Sequence, residues 1–144
     1  ESWQDKMLHL AVYKAVIAEV LSRYRRFPIT FKGVTASPGA VMIKGFPQDE
    51  TLARIRDDLR AALQQNGFGE QLDVMYKIGT AHMTVMRFRR AGTDGKRLLA
   101  LLEANRTADF GVTNVAGLEL IFGDWYASAE ISRTLQEYPL RSQE

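Results

Sequence analysis

Two short runs of alternating apolar and polar residues, joined by a turn, restrict the folds open to this chain. The runs are residues 29–34 and 40–46, and Ser37-Pro38-Gly39 lies between them. Alternation with a period of two is typical of strands, and a Pro-Gly pair marks a tight turn. The segment is therefore predicted to be an antiparallel hairpin within a sheet.

Helical periodicity flanks this hairpin on both sides. Residues 3–24 carry apolar side chains at three- and four-residue spacing, with no Gly or Pro among them. Residues 52–63 repeat the pattern and end at Asn66-Gly67, a typical helix stop. Hairpins that alternate with helices favour an α+β fold, in which the helices pack against largely antiparallel sheet.

The remaining elements follow from shorter patterns. Alternation predicts a strand at residues 81–89, and a leucine cluster predicts a short helix around residues 98–102. Two more strands are predicted at 112–115 and 118–122, and residues 131–138 are either a weak strand or a short helix. No linker interrupts the chain, so we expect a single domain over residues 1–144.

Composition excludes several kinds of site. The 144 residues include no cysteine, which excludes disulfides, thiolate zinc sites and cysteine nucleophiles. The two histidines, His9 and His82, do not form a metal-binding pair, so no histidine-based metal site is expected. No apolar run approaches the ~20 residues of a membrane span, and the first residues lack the basic start of a signal peptide. We therefore expect a cytoplasmic protein with no membrane partner.

The segment of residues 81–88 holds the side chains best suited to chemistry. Strand positions i and i+2 lie about 6.5–7 Å apart on one face, so His82 and Thr84 point into the same space. An imidazole can take a proton from a hydroxyl or from water, or give one to a leaving oxygen. A threonine hydroxyl can donate to a phosphate oxygen. Regular alternation also places Met86 on this face, and it places Arg87 on the opposite face unless a bulge re-aims it.

This H-x-T pattern, together with the elements before it, resembles the signature of the two-histidine (2H) phosphoesterase superfamily. That superfamily includes 2′-5′ RNA ligase-like (LigT-like) and cyclic phosphodiesterase proteins. The hairpin after Phe27-Pro28 is similar to the family's central hairpin, and residues 118–126 resemble its closing strand. The resemblance spans roughly residues 10–140. It implies a bilobal α+β fold whose cleft receives one H-x-T motif from each lobe.

The resemblance also implies roles for these residues. One histidine acts as base and the other as acid, the threonines bind phosphate, and no metal or other cofactor is required. The implied substrates are 2′,3′-cyclic phosphates or 2′-5′ linkages at RNA ends, or related small nucleotides. Only His82 and Thr84 match the motif, because His9 lies in the predicted first helix and Ala11 stands where a threonine is required. We therefore expect the N-terminal strands with the first motif to be absent from this chain. They were lost by truncation, are supplied by a longer precursor, or were never present in this variant.

Four further residues are candidates for substrate binding: Arg87, Tyr76, Trp125 and Tyr126. Three of them have a simpler interpretation, since Arg87, with Arg89 and Arg90, can blunt an exposed strand edge, and Trp125 and Tyr126 can pack in a core. Tyr76 lies in the predicted loop before the motif, where it could edge the cleft. Three hypotheses about function stay open. The chain is a phosphodiesterase-like enzyme, or it is a non-catalytic module of the same fold that binds a phosphate, a nucleotide or a partner. The third hypothesis is a homodimer that pairs through an exposed sheet edge, in which each chain gives part of the cleft.

Overall fold

The computed structural model describes residues 3–69, 72, 79–89, 94–124 and 128–142. Its three helices are α1 (Trp3–Leu21), α2 (Thr51–Gln65) and α3 (Gly95–Ala104). Its six strands are β1 (Phe27–Ser37), β2 (Ala40–Pro47), β3 (Ala81–Arg87), β4 (Asp109–Val115), β5 (Gly117–Phe122) and β6 (Arg133–Pro139). The predicted α+β class is confirmed, and the segment predicted to be either a weak strand or a short helix forms the strand β6. Within these ranges no helix has both the length and the apolar content that a membrane crossing requires.

The chain forms two compact units. Unit 1 comprises residues 1–27, 50–77 and 115–144, and unit 2 comprises residues 28–49 and 78–114. Unit 1 therefore contains α1, α2 and the antiparallel pair β5–β6, whereas unit 2 contains α3 and a four-stranded sheet.

The core of unit 1 is built on the apolar stripes of its two helices. The Tyr13 and Phe68 rings meet edge to face, with their centroids 5.1 Å apart. Each large apolar side chain that is fully buried contributes about 1.5–3 kcal/mol. The buried apolar residues of this unit are Val16, Ile17, Val20, Leu21, Phe27, Ile55, Leu63, Phe68, Tyr138 and Leu140.

Unit 2 is organised around the predicted hairpin. β1 and β2 pair antiparallel across the Pro38-Gly39 turn, and the order of strands in the sheet is β3-β2-β1-β4. β3 is antiparallel to β2 and is an outer strand of the described sheet. α3 begins after Asp94, whose carboxylate accepts hydrogen bonds from the backbone N–H groups of Lys96 and Arg97.

A bulge in β1 ties this sheet to the segment after α3. Phe31 pairs with Gly45 and Val34 with Ile43, so β1 has one residue more than β2 in this interval. Gly33 takes up the extra length with a φ of 75°, which side chains disfavour. Its N–H donates to the Ala108 carbonyl at 2.7 Å. The bulge thereby binds the chain that leads into β4.

Candidate active site

β3 positions the two residues of the predicted motif. His82 lies directly opposite Lys44 of β2, and Thr84 lies opposite Met42. Directly opposed residues of antiparallel strands project from the same face, so the imidazole and the hydroxyl share a face, as their spacing predicts. Both side chains are exposed and are therefore accessible to a ligand.

A second bulge changes what lies beyond Thr84. Met42 pairs with Thr84, but Val41 pairs with Met86, so Val85 is an extra residue without an opposite partner. From this point the alternation of β3 is shifted by one residue. The prediction of uninterrupted alternation is therefore wrong, because Met86 moves to the opposite face.

The same bulge brings Arg87 to the face of His82 and Thr84. Arg87 lies opposite Ala40, which has the same side-chain direction as Met42 and Lys44 on β2. Regular alternation predicts Arg87 on the opposite face, and this placement is wrong because the bulge re-aims the strand. An imidazole, a hydroxyl and a guanidinium now follow one another along one exposed face of β3. We call this surface the His82 face.

Lys44 of β2 lies beside the His82 face and is a residue that sequence reasoning missed. It belongs to the predicted strand 40–46, where it fills an ordinary polar position of the alternating pattern. Its importance depends on the pairing of β2 with β3, which places it opposite His82. Its positive charge in an otherwise uncharged strand was visible in the sequence. Only the register of β2 against β3 shows that this charge lies opposite His82.

The charge of unit 2 suits an anionic ligand. This unit carries eight Lys and Arg residues and four Asp and Glu residues, whereas unit 1 carries eleven and thirteen, respectively. The positive balance is thus confined to the unit that bears His82. Such a field raises the local concentration of phosphate-containing molecules.

The remaining candidates do not join this face in the described structure. His9 lies on α1 in unit 1, is exposed, and has its ring 6.5 Å from that of Phe68 in an edge-to-face contact. It is therefore a helix residue and not part of a second strand motif. Tyr76, Trp125 and Tyr126 lie outside the described residues, so their predicted roles stay predictions. Among the described side chains, no group of three or more His, Asp or Glu residues could hold a metal ion.

Comparison with known proteins identifies the family. The family model described as the 2′-5′ RNA ligase superfamily matches residues 3–120. Among solved structures, the chain is similar to TT0787 of Thermus thermophilus, with 17% identity and a TM-score of 0.64 over 92% of this chain and 70% of that one. No curated protein matches the sequence. The resemblance seen in the H-x-T segment is thereby confirmed, and the chain belongs to the 2′-5′ RNA ligase superfamily.

Proposed function

We propose that the His82 face binds a phosphodiester and acts on 2′,3′-cyclic or 2′-5′ phosphodiesters of RNA ends or nucleotides. One observation carries this proposal: His82, Thr84 and Arg87 lie on a single exposed face because the bulge at Val85 re-aims β3. Membership of the superfamily supports a phosphoesterase- or ligase-type reaction.

Each of the three side chains has a role that its chemistry supports. The Thr84 hydroxyl donates to a phosphate oxygen, and the Arg87 guanidinium neutralises phosphate charge with donors arranged in a planar fork. When water attacks the phosphorus of a cyclic phosphate, one P–O bond to the ribose breaks. His82 then either removes the proton of the attacking water or gives a proton to the leaving ribose oxygen.

A second candidate is a module that binds the same ligands without turnover. It is favoured by the surroundings of the other histidine, since His9 lies on a helix and is followed by Ala11 where the motif has threonine. A single imidazole performs only one of the two proton transfers that the family's mechanism divides between two histidines.

A comparison of turnover and binding separates the two candidates. Hydrolysis of a nucleoside 2′,3′-cyclic phosphate is followed for the wild-type chain, for His82→Ala and for the control His9→Ala. We expect His82→Ala to lower the rate by at least ~100-fold, which is the usual size of a lost acid–base contribution. Because His82 is exposed, the free energy of unfolding is expected to change by less than about 0.5 kcal/mol.

Binding of a nucleoside 3′-monophosphate, measured by calorimetry, covers the case without turnover. If the wild-type chain binds this ligand but hydrolyses nothing, and Thr84→Val weakens the binding, the binding module is the correct function. Undiminished activity of His82→Ala would rule out the enzymatic role of this face.

A further inference from the structure

The His82 face continues across the sheet as a row of positive charge. Lys44 lies opposite His82 on one side, and on its other side β1 presents the bulge residues Lys32 and Gly33. Phe31 pairs with Gly45, and Gly45 projects from the face opposite to that of its neighbour Lys44. Lys32 follows Phe31, so alternation places Lys32 on the same face as Lys44. One imidazole and two ammonium groups therefore occupy neighbouring positions on three adjacent strands.

The side chain of Lys44 extends away from His82 and towards β1. Its Cε lies only 3.0 Å from the point that a Cβ of Gly33 would occupy, next to the carbonyl of Arg106. The absence of a side chain at Gly33 thus leaves the space in which the end of Lys44 lies. Adjacent strands are about 4.8 Å apart, so this end is roughly 10 Å from the backbone of His82.

Both lysine side chains keep surface that a ligand can reach. Among the described residues, neither Lys32 nor Lys44 takes part in an ion pair or a side-chain hydrogen bond. Lys32 is exposed and Lys44 is half-buried, so each side chain keeps some surface open to solvent. Two cations at neighbouring positions of the sheet, without an anionic partner among the described residues, are suited to a phosphate group.

We propose that Lys32 and Lys44 form a second phosphate site, which binds the phosphate adjacent to the one held at His82 and Thr84. This inference rests on the proposed function and specifies its substrate class. The end of Lys44 lies beside β1, roughly 10 Å or two strand spacings from the backbone of His82, so the two sites are expected to engage different phosphates of one ligand. A mononucleotide has no phosphate for the second site. The site therefore selects the end of an RNA oligonucleotide over a mononucleotide.

The test compares two ligands that differ in the adjacent phosphate. Dissociation constants are measured for a nucleoside 3′-monophosphate and for a short oligoribonucleotide with a 3′-terminal phosphate, at several salt concentrations. The proteins are the wild-type chain, Lys32→Gln, Lys44→Gln and the control Lys96→Gln, which removes the same charge from the exposed start of α3.

We expect the wild-type chain to bind the oligonucleotide more tightly than the mononucleotide. Lys32→Gln and Lys44→Gln are each expected to weaken only the oligonucleotide, by several-fold at low salt. Each should also reduce the slope of log affinity against log salt by roughly 0.7, the value for one phosphate contact of a single strand. Lys96→Gln is expected to leave both ligands and both slopes unchanged.

The outcomes distinguish this inference from the function on which it rests. If the wild-type chain binds both ligands and the two lysine variants weaken them equally, or if Lys96→Gln weakens the oligonucleotide as much, the second site is disproved and the His82 site stands. If the wild-type chain binds neither ligand, the proposed function fails and the second site fails with it.

Discussion

Arg87 projects from the same face of the sheet as His82, although the two residues are five positions apart along β3. In a regular strand an odd separation places two side chains on opposite faces. The bulge at Val85 takes up one residue, so Arg87 lies opposite Ala40 while His82 lies opposite Lys44. Imidazole, hydroxyl and guanidinium are thereby distributed along roughly 14 Å of one strand face.

Loss of the guanidinium is predicted to weaken phosphate binding. Arg87→Gln should raise the dissociation constant of a nucleoside 3′-monophosphate about tenfold, since a hydrogen bond to a charged group contributes about 1.5 kcal/mol or more. Arg97→Gln is the matched control, because Arg97 lies on α3 in the same unit and loses the same charge. Calorimetric titration measures both variants. Equal affinity of Arg87→Gln and the wild-type chain would exclude Arg87 from the site.

Because of the bulge, deletions of two nearby residues in β3 are expected to have different effects on phosphate binding. Deleting Val85 removes the residue that has no opposite partner, so Thr84 still faces Met42 and Arg87 still faces Ala40. Phosphate affinity is therefore expected to stay within about twofold of wild type. Deleting Met83 makes His82 and Thr84 consecutive and sends the hydroxyl to the opposite face.

The Met83 deletion should consequently bind phosphate as weakly as Thr84→Val. Circular dichroism of both deletion variants checks that the chain still folds. A deletion of Val85 that folds but loses phosphate binding would show that the bulge does not set the placement of Arg87.

The sequence was sufficient for those elements whose signals are local. Alternation and the Pro38-Gly39 turn predict the hairpin, and the structure contains both its paired strands and its turn. The second helix was predicted to stop at Asn66-Gly67, and Gly67 has a φ of 85° after the last turn of α2. Each of these signals depends on residues within a few positions of one another.

The parts of the site that escaped prediction depend on pairing between distant segments. Val85 has a side chain typical of strands, and only the register of β3 against β2 shows that it is a bulge residue. Lys44 acquires its position opposite His82 through the same register. Such pairing joins residues about forty positions apart, and no local period records it.

The predicted homodimer, which pairs through an exposed sheet edge, stays a prediction.

Gly33 is predicted to be intolerant of a side chain. A Cβ at this position would lie 2.3 Å from the Arg106 carbonyl oxygen, and the φ of 75° is strained for alanine. We expect Gly33→Ala to lower the free energy of unfolding by about 1–3 kcal/mol in urea denaturation. Gly39→Ala is the control, since nothing lies within 4 Å of its Cβ and its φ is not positive. Similar stabilities of the two variants would contradict the close approach at Gly33.

In unit 1 the Tyr24 hydroxyl donates to a carboxylate oxygen of Asp58 at 2.7 Å, which makes stability depend on pH at the alkaline end. Burial, reinforced by this hydrogen bond, raises the pKa of Tyr24 to about 12, from 10.0 in the unfolded chain. The protonated phenol is thus favoured by folding. Its contribution is fully present below pH 10 and is lost as the pH rises towards 12.

Tyr24→Phe removes both the hydrogen bond and this titration. We expect the wild-type chain to be more stable than the variant by about 1 kcal/mol at neutral pH, the usual net value of one hydrogen bond. Between pH 10 and pH 12 the unfolded phenol ionises before the folded one, so this advantage should shrink steadily. Urea unfolding of both proteins across that interval measures the difference, and the other titrating groups cancel because both proteins share them. A difference that stays constant up to pH 12 would show that folding does not raise the pKa of Tyr24.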